Sequence, residues 1–235
     1  MNRSVLPVLP ENTDVIFVTG FGDKGVADTL DQLKTGIKPV FDGWTFKQTA
    51  IVPGAPYYRA LQSPQKTASR VCGKIEKFAC TNNIILIGDS YGALLALVAA
   101  CRRDFQNILG LILIDGPLDP AIDVRPKKIG HRLYQRHYNG RKKLAEEFPR
   151  FCARRHRNGL DRTLSSITTL GTEKDNIVPP LSKRLTGVDH VSLPYNGHGL
   201  QTKPVALILN RIFKKIFATS RNGADKISRM TTGDH

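Results

Sequence analysis

Three short apolar runs constrain this chain more than any other feature of its sequence. Val15–Val18, Ile84–Ile87 and Leu111–Ile114 are built from β-branched, leucine and aromatic residues, and each is followed by a turn that contains glycine. Continuous apolar runs of this length are typical of strands that are buried on both faces of a sheet. Apolar residues at helical spacing follow in 63–78 and 91–100. Strands that alternate with helices predict the α/β fold class, with a mostly parallel central sheet flanked by helices.

Weaker patterns extend this fold to the end of the chain. Ile167–Leu170 and Val188–Leu193 are predicted to be strands, and Pro204 lies near the start of a last amphipathic helix. We expect one domain over 1–235, with a flexible tail from 220 to 235.

One turn in this predicted sheet carries a candidate nucleophile. The motif Gly88-Asp89-Ser90-Tyr91-Gly92 comes directly after a buried strand and opens an apolar helix. Glycines at both ends of such a turn let strand and helix pass closely, while the serine hydroxyl projects outward. Because serine is a weak nucleophile by itself, this role also requires a general base and a group that orients the base.

Two later turns supply those groups. Asp175 comes after the strand at Ile167, and His198 comes after the next strand, within Gly197-His198-Gly199. The order Ser90, Asp175, His198 is the chain order typical of a triad whose serine lies in a strand-to-helix turn.

Each of these two positions has a competitor. Asp115 ends the strand after the Ser90 turn and is a second candidate for the acid. His190 is a second candidate for the base, but it lies inside a predicted strand, where we expect a half-exposed histidine.

Together these motifs resemble the α/β-hydrolase superfamily, from the Val15 strand to about Phe217. The matching features are the glycine turn after the first strand, the nucleophile elbow, the acid turn and the Gly-His-Gly segment. The chain has Thr19-Gly20 where the family often has His-Gly, and only about fourteen residues precede the first strand. We therefore expect a short sheet of about six strands, in which the antiparallel strands that usually begin this fold are absent or reduced.

The resemblance implies a role for each site residue. Ser90 would be the nucleophile, His198 the general base and then the acid, and Asp175 the residue that orients the imidazole. The oxyanion hole would consist of the backbone N–H groups of Phe21 and Tyr91. Gly88 and Gly92 would frame the elbow. We expect no cofactor and no metal.

A basic segment interrupts the alternation of strands and helices. The chain has a net charge of +15, and residues 118–160 hold twelve basic residues against four acidic ones, a difference of +8. Since this superfamily commonly inserts a cap at this point, we expect a basic helical cap over 118–165, with helices near 132–138 and 141–156. Such a cap would attract anionic substrates or an anionic membrane surface. The absence of a recognised motif disfavours nucleic acid.

These observations predict a cytoplasmic serine hydrolase that cleaves a carboxylic ester or a thioester through an acyl-enzyme intermediate. The compartment follows from an N-terminus that does not read as a signal peptide, and the longest apolar runs are far shorter than the roughly 18 residues needed to cross a bilayer. The alternative is a non-catalytic protein of the same fold that binds nucleic acid, anionic lipid or an acidic protein through its basic cap. The oligomeric state does not follow from the sequence.

Overall fold

A parallel sheet organises the part of the chain that the structure, a computed structural model, describes. The described residues are 13–20, 48–52, 64–79, 83–102, 108–119, 147–154, 167–175, 178–198, 211–212 and 216. The strands are β1 (Thr13–Val18), β2 (Gln48–Val52), β3 (Asn83–Asp89), β4 (Ile108–Ile114), β5 (Ile167–Lys174) and β6 (Asp189–Asn196). They lie in the order β2-β1-β3-β4-β5-β6, and every neighbouring pair is parallel. The expected α/β fold with a parallel sheet is therefore confirmed.

The three apolar runs form the middle of this sheet and are covered on both faces. Ile16, Leu86 and Leu113 belong to a buried cluster on one face, which also contains the flanking helices. On the other face, Gly110 of β4 leaves room for Ile216, whose side chain lies where a β-carbon on that glycine would be. Burial on both faces explains why these runs show no polar alternation.

Two helices pack against the first of these faces. The helices are α1 (Pro64–Ala79) and α2 (Tyr91–Arg102), close to the predicted 63–78 and 91–100. Helix α1 buries one side through Ala68, Val71, Cys72 and Ile75. Helix α2 packs against β1, β3 and β4 and has α1 at its side, which accounts for its apolar character all round. Of the helices that the structure describes, none has the length and apolar character that a bilayer span needs.

The weaker strands are longer than their apolar patterns. Strand β5 was expected over Ile167–Leu170 but continues to Lys174, because Gly171 and Thr172 are also buried in the sheet. Strand β2, with the sequence Gln-Thr-Ala-Ile-Val, had no prediction at all. Its two adjacent large apolar residues at the end are too short a pattern to separate a strand from a loop.

Part of the basic segment belongs to the crossover that joins β4 to β5. Residues 147–154 are helical, and Phe148 and Phe151 pack into the core beside α2. The Arg154 guanidinium donates a hydrogen bond to the Cys101 carbonyl oxygen, 2.5 Å away in the last turn of α2. This contact is about 16 Å along α2 from its start beside Ser90. The rest of 118–165 beyond Asp119, including the predicted helix at 132–138, and the tail 220–235 lie outside the described residues.

Candidate active site

Four polar residues meet where four neighbouring strands end. Ser90 follows β3 and Asp115 follows β4, while Asp175 follows β5 and His198 comes two residues after β6. In a parallel sheet these carboxyl ends lie at one edge, which is where open α/β sheets bind their ligands. The topology therefore brings together residues that are up to 108 positions apart.

Ser90 occupies a turn that most residues avoid. Its backbone φ is 55°, in the left-handed region, and its N–H group donates a hydrogen bond to the Ile114 carbonyl oxygen at 2.8 Å. A non-glycine residue in this conformation is strained, and such strain persists where the surrounding structure holds it. The hydrogen bond to β4 is one such restraint, and the start of α2 at Tyr91 is another.

The glycines of the motif are required by close packing. A β-carbon on Gly88 would lie 2.5 Å from Ala93 Cα and 2.6 Å from the Gly92 carbonyl oxygen. A β-carbon on Gly92 would overlap the Val18 carbonyl oxygen at the end of β1. These contacts are with backbone atoms, which cannot rotate away, so both positions exclude larger residues.

Ser90, His198 and Asp175 form a continuous chain of hydrogen bonds. His198 Nε2 lies 2.6 Å from Ser90 Oγ, and His198 Nδ1 lies 2.7 Å from Asp175 Oδ2. An ionised carboxylate can only accept, so Nδ1 carries the proton of the neutral ring and Nε2 is free to accept the Ser90 hydroxyl proton. This tautomer is the one that a general base for Ser90 requires.

The surroundings of His198 favour its protonated form. Burial alone lowers the pKa of the imidazole, since its side chain is only 14% exposed. The hydrogen bond to Asp175 and the negative charges of Asp175, Asp89 and Asp115 outweigh that effect, so the pKa is raised above the ordinary 6.5. The imidazolium that would form when Ser90 loses its proton is thus stabilised by three carboxylates.

The structure also separates the two candidate acids. Asp175 contacts His198, and its other oxygen Oδ1 accepts a hydrogen bond from the Val178 N–H at 3.1 Å. Asp115 accepts hydrogen bonds from the Thr172 N–H at 2.8 Å and from Lys183 at 2.5 Å. Asp175 therefore takes the place beside the histidine, and Asp115 lies behind it, fully buried at a φ of 47°.

His190 takes no part in the hydrogen-bonded chain from Ser90 to Asp175. It lies half-buried in β6, and its Nδ1 is 2.9 Å from Thr169 Oγ1. Burial lowers the pKa of its ring, and the positive charges of Arg184 and Lys183 lower it further, against a smaller opposite effect of Asp115.

His198 is positioned by a short turn that β5 anchors. The Gly197 N–H donates a hydrogen bond to the Lys174 carbonyl oxygen at 2.9 Å. Gly197 has a φ of 121°, a conformation that favours glycine. The Gly-His pair is therefore needed for the backbone as well as for the side chain.

Sequence reasoning missed Lys183, which the structure places at the centre of the acidic residues. Lys183 belongs to a 3₁₀ helix, Pro180–Lys183, and is completely buried. Its Nζ lies 2.5 Å from Asp115 Oδ1 and 2.7 Å from Asp175 Oδ2. The available signal was indirect: Gly171 leaves an opening in a buried strand, and two acids at neighbouring strand ends need a positive charge.

Three of these groups have the geometry of metal ligands. One ligand atom each from Asp115, Asp175 and His198 lies within 4.8 Å of the others. The Lys183 ammonium, however, already bridges the two carboxylates. A metal ion bound there would have to displace a buried positive charge, so this group does not favour a metal centre.

The structure describes one of the two residues that are expected to donate to the oxyanion. Tyr91 is the first residue of α2 and directly follows Ser90. Phe21 lies outside the described residues. Gly20 is described, and a β-carbon there would lie 3.0 Å from Ser90 Cβ, so the backbone of Gly20 lies beside the serine side chain.

No protein-family model and no curated protein matches this chain. It is similar to Est1E from Butyrivibrio proteoclasticus, with 13% identity over 89% of this chain and 90% of that one, and a TM-score of 0.52. It is also similar to the metagenomic carboxyl esterase MGS0156, with 12% identity over 89% and 76%, and a TM-score of 0.60. Both have the α/β-hydrolase architecture, and this chain therefore has the α/β-hydrolase fold.

Proposed function

We propose that this protein is a serine hydrolase that cleaves a carboxylic ester or a thioester through an acyl-enzyme intermediate. The observation that carries the proposal is His198, which bridges Ser90 Oγ at 2.6 Å and Asp175 Oδ2 at 2.7 Å. This arrangement supplies a nucleophile, a base within hydrogen-bond reach and a group that orients the base.

In the proposed acylation step, Ser90 Oγ attacks the carbonyl carbon while His198 Nε2 takes the hydroxyl proton. A C–O bond forms, and the carbonyl electron pair moves to the oxygen. The resulting imidazolium is stabilised by Asp175, which stays ionised. When the tetrahedral intermediate collapses, the bond to the leaving group breaks, and His198 returns its proton to the departing alcohol or thiol.

Deacylation repeats this sequence with water. His198 takes a proton from the water molecule, whose oxygen attacks the acyl carbon, and then returns the proton to Ser90 Oγ as the acid is released. In both steps we assign the backbone N–H groups of Tyr91 and Phe21 to the developing oxyanion. Loss of one such donor typically slows the reaction by about 10²–10³-fold.

The carboxyl esterase MGS0156 supports the choice of substrate class, because it shares the fold of this chain. Fold alone does not decide the reaction, since one fold hosts many activities. The proposal therefore depends on the geometry at Ser90, and the experiment must address that residue directly.

The test combines a fluorophosphonate probe with panels of p-nitrophenyl esters and acyl thioesters. We expect the probe to label the wild type at Ser90, and both labelling and turnover to disappear in Ser90→Ala. Ser192→Ala, which removes an exposed hydroxyl on β6, is the matched control and should retain both. A wild type that neither reacts with the probe nor turns over any substrate would contradict the proposal and favour the binding-protein alternative.

We further propose that the preferred substrate is anionic, such as a thioester on a phosphate-bearing carrier. Support comes from residues 118–160, which hold more than half of the net charge of +15. Salt should weaken kcat/KM for an anionic ester and leave a neutral ester nearly unchanged. The double change Lys142→Glu/Lys143→Glu should have the same selective effect, with Lys77→Glu on α1 as the control. Equal effects on both esters would contradict this preference.

A further inference from the structure

The Lys183 ammonium uses all of its hydrogen-bonding capacity inside the protein. An ammonium has three donors, and four acceptors lie close to Nζ. Asp115 Oδ1 is 2.5 Å away and Asp175 Oδ2 is 2.7 Å away. Thr172 contributes its Oγ1 at 2.7 Å and its carbonyl oxygen at 3.2 Å. The side chain is completely buried, so these contacts replace water entirely.

The path of the Lys183 stem is prepared by β5 and by the 3₁₀ helix. A β-carbon on Gly171 would lie 2.9 Å from Lys183 Cδ, so the aliphatic stem fills the place of a side chain on β5. The residue before it, Ser182, is held by the start of the β4–β5 crossover. Its carbonyl oxygen accepts hydrogen bonds from the N–H groups of Leu118 at 2.7 Å and Asp119 at 2.8 Å. Lys183 is thus fixed from both sides.

The charges around His198 balance only when Lys183 is counted. Asp115 and Asp175 carry two negative charges with oxygens less than 5 Å apart. Two ionised carboxylates this close repel each other strongly unless a positive charge lies between them. With the ammonium in place, the cluster behind the imidazole has a net charge of −1, the charge of a single triad acid.

We propose that Lys183 is a positioning residue that joins Asp115 to Asp175 and keeps Asp175 ionised and aimed at His198. This inference rests on the proposed hydrolase function of the same site. Lys183 touches neither Ser90 nor the reacting atoms, and it acts through the carboxylate. Asp115 is then the second support of the ammonium rather than a spare acid.

The proposal makes a specific claim about pH, because net charge sets how tightly His198 holds its proton. Without Lys183 the two carboxylates either give a net charge of −2 or share a proton that must leave before Asp175 can orient the ring. Both effects move the acid limb of the pH–activity profile, where activity rises with pH, to higher pH. Among the described residues, Asp89 after β3 acts on His198 through its negative charge, and Arg184 after the 3₁₀ helix acts on His190 of β6 through its positive charge.

Four variants separate this role from simple structural support. Lys183→Met removes the positive charge, and Asp115→Asn removes one negative charge. The double variant Lys183→Met/Asp115→Asn removes both and returns the cluster to −1. Lys174→Met makes the same substitution at an exposed lysine next to Asp175 in sequence and serves as the control. The measurement is the rate of inactivation by a fluorophosphonate probe as a function of pH, together with kcat/KM for p-nitrophenyl butyrate.

We expect the midpoint of the acid limb in Lys183→Met to move up by about 1–3 pH units. At a fixed pH below both midpoints, activity then falls by about tenfold for each pH unit that the midpoint rises. Asp115→Asn should move the limb down, and the double variant should return it close to the wild-type position. Lys174→Met should match the wild type. An acid limb that stays in place in Lys183→Met, with only a lower rate, overturns the proposal.

If the Lys183→Met protein does not fold, the test uses the comparison of the double variant with Asp115→Asn. The net charge of the cluster is 0 in Asp115→Asn and −1 in the double variant, so neither protein has a more negative cluster than the wild type. Adding Lys183→Met to Asp115→Asn should raise the limb, and no change overturns the proposal. Labelling of the wild type shows whether a negative result rejects the hydrolase function or only the role of Lys183. An unlabelled wild type rejects the hydrolase, whereas a labelled wild type with no change among the variants rejects only the role of Lys183.

Discussion

The hydroxyl group of Thr172 lies 2.8 Å from the carbonyl oxygen of Gly197, so strand β5 holds the residue that precedes His198. The same hydroxyl accepts a hydrogen bond from Lys183 at 2.7 Å. The Gly197 N–H also donates a hydrogen bond to the Lys174 carbonyl oxygen, so the backbone N–H and the backbone C=O of Gly197 are both hydrogen-bonded to β5. The position of the imidazole therefore depends on a strand that contributes no reacting atom.

Thr172→Val should lower kcat by about 10–100-fold with little change in KM. The substitution keeps the shape of the side chain but removes the hydrogen bonds that the hydroxyl makes with Gly197 and with Lys183, and a small misplacement of a catalytic group is costly. Steady-state kinetics with p-nitrophenyl butyrate measure this. Thr168→Val, at a buried threonine near the start of the same strand, is the control and should keep the wild-type kcat.

The activity of the wild type should rise with pH through a midpoint above 6.5, because the pKa of His198 is raised and only its neutral form can accept a proton. Asp175→Asn removes the largest of the contributions that raise this pKa, so the acid limb should move to lower pH. The remaining rate should fall by about 10⁴-fold, since the tautomer is no longer held. A pH profile of kcat/KM tests both statements, and an Asp175→Asn limb at or above the wild-type position would contradict them.

The buried ion pair between Lys183 and Asp115 predicts a pattern of stability. Each single variant, Lys183→Met or Asp115→Asn, should lower the free energy of unfolding by about 3–5 kcal/mol, because it leaves a buried charge with fewer partners. The double variant should lose much less than the sum of the two. Urea unfolding of all three measures the coupling, and additive losses would show that the two groups do not stabilise each other.

Gly92→Ala should abolish probe labelling and destabilise the protein by about 1–3 kcal/mol or more, because the new methyl group overlaps the Val18 carbonyl oxygen. Gly73→Ala is a matched control in the middle of α1, where no atom lies within 4 Å of the added carbon. It should raise stability by about 0.5–1 kcal/mol and leave labelling intact. Thermal unfolding and probe labelling of both variants check this contrast.

Arg154→Met should lower stability by about 1–3 kcal/mol, because the Cys101 carbonyl oxygen at the end of α2 loses its donor. It should leave kcat/KM unchanged for neutral and for anionic esters, since this contact is at the far end of α2 from Ser90. Arg150→Met, at an exposed arginine of the same helical segment, should change neither quantity. A selective loss of activity toward anionic esters in Arg154→Met would instead assign this arginine to substrate binding.

Much of the site was predictable because its signals are local. The elbow at Ser90 combines a buried strand, two glycines and an apolar helix within one short segment, and the acid and histidine turns follow strands in the expected order. The sheet was predictable for a similar reason, since burial on both faces leaves continuous apolar runs in β1, β3 and β4. Strand β2 and the end of β5 lacked such runs and were missed.

The elbow at Ser90, the chain order of Ser90, Asp175 and His198, and the strands of the parallel sheet can be read from the amino-acid sequence, because each turn and each apolar run consists of adjacent residues. The acid that lies beside the histidine, and the burial of Lys183 between the two acids, emerge only from the folded structure. The sequence presents Lys183 as one of 35 basic residues in a strongly charged chain. Its burial depends on an opening at Gly171 and on the carboxylates that follow β4 and β5. These groups are 8 to 68 residues away from it and meet only when the sheet forms.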